Sequence, residues 1–462
     1  VAFARLAVHP WAVAIIFEDD QTRSVGIEEA VSAEVVDALR VQFVLRDQGA
    51  RERAHLALGE LRGRPMTAGG VSATLRAASA AYPTLANRWD DPAETFLSLL
   101  EYAPNEVPVA ESERAYLLAP VRVRRALLAL IARRGDAAAV EALGFLLGAD
   151  GPVGLVPPNP PDGMFDMLLR TSLFVIEPSD PAVGRLVTSL ATVLGLPGWT
   201  VRVSVFVHRL CRAGRIDQHA ATAIGPIAQR VGIELVEACD RGAATTPRLT
   251  SEAAMFSGSS DLARRDRARI VPLLALAGEA QHLLGRDPAS RFVLRALSSA
   301  DPRVAAMAAV VLVRHGGAIG HDRLSVIAQD AHARAELSAG LAGLGRSDLL
   351  PARFATARAA AEADMVRWLV ETSEIGRAPD EIEWLGSVDD YRDVPFEALR
   401  FRYREPHWAA PRGWMVGASG PYTPDGQPID DRERITSSLL RSDEIDTVAG
   451  HVDDIVSCVL ED

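Results

Sequence analysis

Three arginines, Arg400, Arg402 and Arg404, alternate with Leu399, Phe401 and Tyr403 toward the end of the chain. On a strand, a period of two places the three guanidiniums on one face, where they suit a phosphate, a row of carboxylates or an acidic partner helix. His407, Trp408 and Trp414 follow closely, and Trp and Arg dominate binding hot spots. These six residues are the candidate binding site. The plainer reading pairs the arginines with Glu381 and Glu383 on an adjacent strand and buries the tryptophans in a small core.

Other chemistry-bearing groups are thinner. Arg264, Arg265, Arg267 and Arg269 follow Ser259-Ser260-Asp261, which reads as a helix cap. The cluster suits phosphate, or more plainly a solvated helix face paired with Asp261 and Asp266. His208 and Cys211 stand three apart, with Cys239 further on, but no second Cys or His pair stands at zinc spacing. Both also suit a buried helix face. His451 and Asp454 lie one turn apart on the last helix and read as a solvent-facing polar stripe. No metal or cofactor is expected.

Catalytic signatures are missing: no G-x-S-x-G elbow, no G-x-G-x-x-G after a strand, no H-E-x-x-H and no paired C-x-x-C. All 49 basic residues are arginines. Without lysine, Schiff-base, pyridoxal-phosphate, P-loop and protein-kinase chemistry are excluded, since each uses an ammonium. No catalytic residue is assigned, and a non-enzyme is expected.

The charge of −12 is uneven. From Gly376 onward nine arginines face nineteen acids, while the preceding residues are nearly balanced. That acidity argues against nucleic acid as the partner, because phosphate neutralisation supplies most of such affinity. Cys211, Cys239 and Cys458 are few, odd in number and far apart, so free thiols in a cytoplasmic protein are expected. No apolar run approaches the ~18 residues of a membrane span. The apolar start, residues 1–17, is broken by Arg5, His9 and Pro10 and does not read as a signal peptide.

The elements that must carry these groups are mostly helical. Residues 151–163 hold five prolines and read as a break, and residues 240–261 read as a mobile loop. Elsewhere Ala, Leu, Val and Arg recur at spacings of three and four. The clearest unit runs from Asp301 to Gly316: Asp caps, Pro302 opens the first turn, Val304, Ala308 and Leu312 form a stripe, and Gly316 stops the helix. Weaker echoes occur at residues 51–61, at 124–147 around Gly135-Asp136, and at 201–214.

This Asp-Pro-x-Val, Ala-Ala, Leu, Gly pattern resembles the second helix of a HEAT repeat, well over one repeat and loosely over four to six more, across roughly residues 40–370. The resemblance, to bacterial armadillo-like proteins, implies a right-handed α-solenoid of helix pairs, each burying its face against its neighbours. It also implies a non-catalytic scaffold that binds another protein or peptide on a concave face. Some HEAT-like proteins are DNA glycosylases, which makes DNA binding the rival reading. The fold expected is mainly α, with helical repeats over 1–150 and 165–375. A small acidic α+β domain over 376–462 follows. There residues 381–385, 396–404 and 413–419 read as strands, 424–426 as a turn, and 442–460 as a final helix burying Ile445, Val448, Val452, Ile455 and Val459.

Overall fold

The computed structural model describes residues 31–44, 47–82, 91–102, 107–148, 155–245, 258–373, 375–404, 413–429, 435–438 and 448–461. The protein is mainly helical, with a four-stranded antiparallel sheet near its C-terminal end. The chain divides into two compact units, Val1–Val231 and Gly232–Asp462.

The first unit contains α1 (Ala33–Val44), α2 (Gln48–Glu60), α3 (Ala68–Ser79), α4 (Pro92–Ser98), α5 (Val109–Leu118), α6 (Val121–Arg133), α7 (Ala137–Leu147), α8 (Met164–Arg170), α9 (Ala182–Leu190) and α10 (Pro197–Arg212). The long α11 (Gln218–Thr245) follows and is cut by the division. Local chemistry explains the breaks. Asp47, Thr67, Asp91 and Asp136 each cap a helix through a side-chain oxygen. Between α6 and α7, Gly135 takes a positive φ of 66° to end one helix, and Asp136 accepts from the Ala139 amide to start the next.

Packing in this unit is local in sequence. Helix α1 packs on α3, α3 on α5, α5 on α7 and α7 on α9; a second series runs α2, α4, α6, α8, α10. Consecutive helices join the two series. The apolar stripes carry this: Val123, Leu127 and Ile131 of α6 and Val140, Leu143 and Leu147 of α7 are all buried.

The second unit holds α12 (Gly258–Leu283), α13 (Arg291–Leu297), α14 (Pro302–Arg314), α15 (His321–Ile327), α16 (Ala331–Ala342), α17 (Ala357–Glu371), β1 (Glu381–Asp389), β2 (Pro395–Arg402), β3 (Trp414–Gly420), β4 (Ile435–Ser437) and α18 (Val448–Glu461). Helix α12 packs on α14, α14 on α16 and α16 on α17. Helix α14 starts and stops as its sequence implies, with Asp301 as cap, Pro302 in the first turn and Gly316 at a φ of 82°. It is buried nearly all round from Val304 to Val313, not only along one stripe. Close approach is needed on both sides: a Cβ on Gly278 of α12 would sit 2.6 Å from Val311, and one on Gly340 of α16 would sit 2.4 Å from Val310.

The sheet runs β1-β2-β3-β4 and is covered on both faces. Ala361, Met365 and Leu369 of α17 pack on Leu399, Phe401 and Met415, whereas Val452, Ile455 and Val456 of α18 pack on Phe396, Ala398 and Ala418. The 424–426 turn forms as read, with the Gly426 amide donating to the Thr423 carbonyl at 2.8 Å.

Several expectations need correction. The final helix buries Val456, while Val459 is 41% exposed; Ile445 lies outside the described residues. Residues 240–245 and 258–261 are helical, so the loop read over 240–261 is shorter, with 246–257 outside the described residues. Ser259-Ser260-Asp261 therefore lies within the opening turns of α12 and is not its cap. His451 is buried, its Nε2 3.3 Å from the Val416 carbonyl oxygen, and is not part of a solvent-facing stripe. Among the described residues no helix is long and apolar enough to cross a membrane.

Candidate functional site

The arginine row sits on β2, and the register of the sheet decides its partners. Glu381 stands opposite Arg402 and Glu383 opposite Arg400. Side chains opposite each other on antiparallel strands share a face. Arg400 accordingly donates to Glu383 through Nε at 2.8 Å, and Arg402 donates to Glu381 through Nε at 2.9 Å. Arg404 reaches the other Glu381 oxygen at 3.1 Å, and its amide donates to Asp380. The hydrogen bond from Arg402 holds the Glu381 carboxyl below the usual range. Every arginine of the row thus has a carboxylate from the neighbouring strand.

Trp414 stands opposite Arg402 on β3. The guanidinium carbons of Arg400 and Arg402 both lie 4.5 Å from its ring centroid. The tryptophan is half-buried beneath these two cations and is not core. Arg400, Arg402, Arg404 and Trp414 are therefore brought together. His407 and Trp408 lie outside the described residues.

The other sequence candidates are dispersed. Arg267 leaves the N-terminal part of α12 to bind Asp301, and Arg269 pairs with Asp266 at 3.5 Å. Cys239 lies 3.9 Å from the same Asp301, and burial together with that carboxylate pushes its thiol up to about 11. Cys211 is buried in α10.

Sequence spacing missed a polar cluster that the tertiary fold assembles. His332 and Glu336, four apart on α16, meet Glu371 at the end of α17, with one ligand-type atom from each within 4.8 Å of the others. Among the described residues this is the one group of three or more metal-type ligands. Its cationic place is taken by Arg303 of α14, which donates to Glu336 through Nε at 2.7 Å and to Glu371 at 2.9 Å. His332 Nε2 lies 2.9 Å from the same Glu371 oxygen. Burial raises the Glu336 carboxyl, and burial with the nearby Arg303 lowers His332. Glu336 is half-buried and Glu371 exposed, and the two carboxylates are bridged by the Arg303 guanidinium, with the His332 imidazole on the second. The i, i+4 spacing on α16 was legible; the arrival of Arg303 and Glu371 was not.

Two concavities accompany these groups. In the first unit, a groove of about 350 Å³ lies between α3 and α5, lined by Leu75, Arg76, Glu111, Arg114 and Leu118 among others. Neither Arg76 nor Arg114 makes an ion pair among the described residues, and Leu118 is 72% exposed. In the second unit, a larger cavity of about 710 Å³ lies between α16, α17 and residues 422–429. At its polar end the Tyr422 hydroxyl donates to Asp364 Oδ2 at 2.6 Å, and Arg367 pairs with Asp364 Oδ1 at 2.8 Å. Neither concavity was foreseen, because each needs two helices to be placed side by side.

No family model, curated protein or solved structure matches this chain.

Proposed function

We propose that this chain is a non-catalytic interaction protein of the cytoplasm: a right-handed α-solenoid of HEAT-like helix pairs that binds another protein or peptide along the face of one helix series. The observation that carries the reading is the packing order within each unit. Each helix meets the next-but-one helix of the chain, as α1, α3, α5, α7 and α9 do, and as α12, α14 and α16 do. Short units that bury their faces only against sequence neighbours are the physical basis of repeat proteins. Helix α17 supports the same reading, because the sheet covers the face that no further helix takes, the role of a capping element.

The groove between α3 and α5 suits a peptide. It offers two arginines that make no ion pair among the described residues, beside an exposed leucine, the pairing of charge and apolar anchor that interfaces use. The arginine row on β2 suits one less, since each member is already held by a carboxylate.

The test is capture of partners by the tagged chain from native lysate, with and without nuclease, read by mass spectrometry. A stoichiometric protein that survives nuclease and is lost from a folded Arg114→Glu, Leu118→Asp double variant supports the proposal. Partners that disappear on nuclease treatment overturn it in favour of a DNA-binding HEAT-like protein.

A further inference from the structure

The cavity between α16, α17 and residues 422–429 has a chemistry that the interaction reading does not use. Its volume of about 710 Å³ falls in the range of small-molecule sites, a few hundred to about 1,000 Å³. Ala335, Ala339 and Ala342 of α16 and Ala360 and Ala363 of α17 leave the space, because none projects beyond a Cβ. Phe354, Pro428 and Ile429 add apolar walls. The ring of Phe354 is itself held between guanidiniums, 5.3 Å from Arg334 and 4.6 Å from Arg353.

Space alone selects nothing; the polar end does. Arg334 is nearly buried, and each of its three nitrogens has a partner: the Ala359 carbonyl at 3.1 Å, the Ala328 carbonyl at 3.0 Å and Glu362 at 3.0 Å. It contributes positive potential but no open fork. Asp364 is also committed, one oxygen to Tyr422 and the other to Arg367. Arg367 differs. One terminal amino group meets Asp364, and its remaining nitrogens have no partner among the described residues. Asp364, itself fixed by Tyr422, thus sets the direction of a guanidinium that still has donors to give. The side chains of Ser338 and Gln427 line the same space.

We propose that this cavity binds a small organic carboxylate, its acid group on Arg367 and its compact apolar body against the alanine walls and Phe354. A guanidinium edge matches the two oxygens of a carboxylate. A single charge fits better than the double charge of a phosphate, because of the two lining cations only Arg367 has donors left among the described residues, and Asp364 stands beside it. The apolar walls ask for a hydrocarbon or aryl body rather than a sugar.

The test uses the full chain with phenylacetate, indole-3-acetate and 4-methylpentanoate, each beside its uncharged amide, in thermal unfolding and titration calorimetry. At least one acid should bind with sub-millimolar affinity and raise the Tm, while its amide does neither. Arg367→Gln should weaken that binding at least tenfold. Ala339→Trp, at an exposed helix position, should abolish it by filling the space without loss of helical circular dichroism. The proposal is overturned if no acid binds, if acid and amide bind alike, or if binding survives both substitutions. A blank in the lysate experiment leaves this result untouched, so the two readings fail separately.

Discussion

Asp301 holds Arg267 with one carboxylate oxygen, at 2.8 Å from Nε and 2.6 Å from a terminal amino group, and caps α14 with the other, accepting from the Arg303 amide at 2.9 Å. One side chain therefore both starts a helix and ties it to the preceding one of its series. Loss of the cap costs about 1 kcal/mol, and a half-buried Arg267 left without its carboxylate adds a comparable amount. Asp301→Ala should destabilise by about 2–3 kcal/mol in urea unfolding, and Asp301→Asn, which keeps a capping oxygen, by clearly less. Equal losses for the two would show that the pair with Arg267 carries the effect and the cap adds nothing.

The Arg303 cluster predicts a comparable effect. Removing the guanidinium leaves Glu336 and Glu371 facing each other in a partly buried site, a change worth about 1–3 kcal/mol because Glu371 is open to solvent. Arg303→Met should lower the unfolding free energy by that order, and adding Glu336→Gln should recover part of it. A double variant no more stable than the single one would contradict the account.

The same cluster sets a pH dependence. His332 is lowered in the folded protein by burial and by Arg303, so below its ordinary value of about 6.5 the unfolded chain binds the extra proton and stability falls. Glu336 is raised by burial, so the folded state takes its proton first and works in the opposite direction as pH drops. Wild type should lose stability relative to His332→Gln between pH 7 and 5.5. It should gain relative to Glu336→Gln toward the ordinary carboxylate range. Chemical denaturation across pH measures both; parallel curves would remove His332 and Glu336 as the cause.

Helix spacing in the second unit rests on small residues. A side chain at Gly340 has no room against Val310, so Gly340→Leu must separate α14 from α16 and open their shared core. A loss of about 1–3 kcal/mol in urea unfolding is expected, of the order seen for overpacked cores. A near-neutral result would mean that these two helices can part without cost.

Thiol chemistry offers a direct check. Cys458 is exposed, whereas Cys211 and Cys239 are buried, and the Cys239 thiol is pushed up to about 11. At pH 8 the folded protein should react with a thiol reagent rapidly at Cys458 and slowly at the other two, with all three modified after unfolding. Fast labelling of Cys239 would contradict its place beside Asp301.

Much of the local structure was legible in the sequence. The Asp-Pro start and Gly stop of α14, the Gly135-Asp136 break and the alternation in β2 are decided within a few residues, by capping geometry and side-chain period. The pairing of Arg400 and Arg402 with Glu383 and Glu381 was foreseen for the same reason: strands so close in sequence have few registers open to them. His451 and Val459 were misread because the face a helix buries depends on what packs against it. Helix α18 meets the sheet through Val452, Ile455 and Val456, and that turns His451 inward.

By itself the sequence determined a mainly helical chain with no lysine, built largely from capped helices and carrying a small sheet within an acidic stretch. Those features follow from residue type and near-neighbour spacing. The tertiary structure alone decided that Arg303 joins His332, Glu336 and Glu371, and that Asp364 and Tyr422 aim Arg367 into a cavity. Their members come from separate helices and a turn that only packing brings within hydrogen-bond reach.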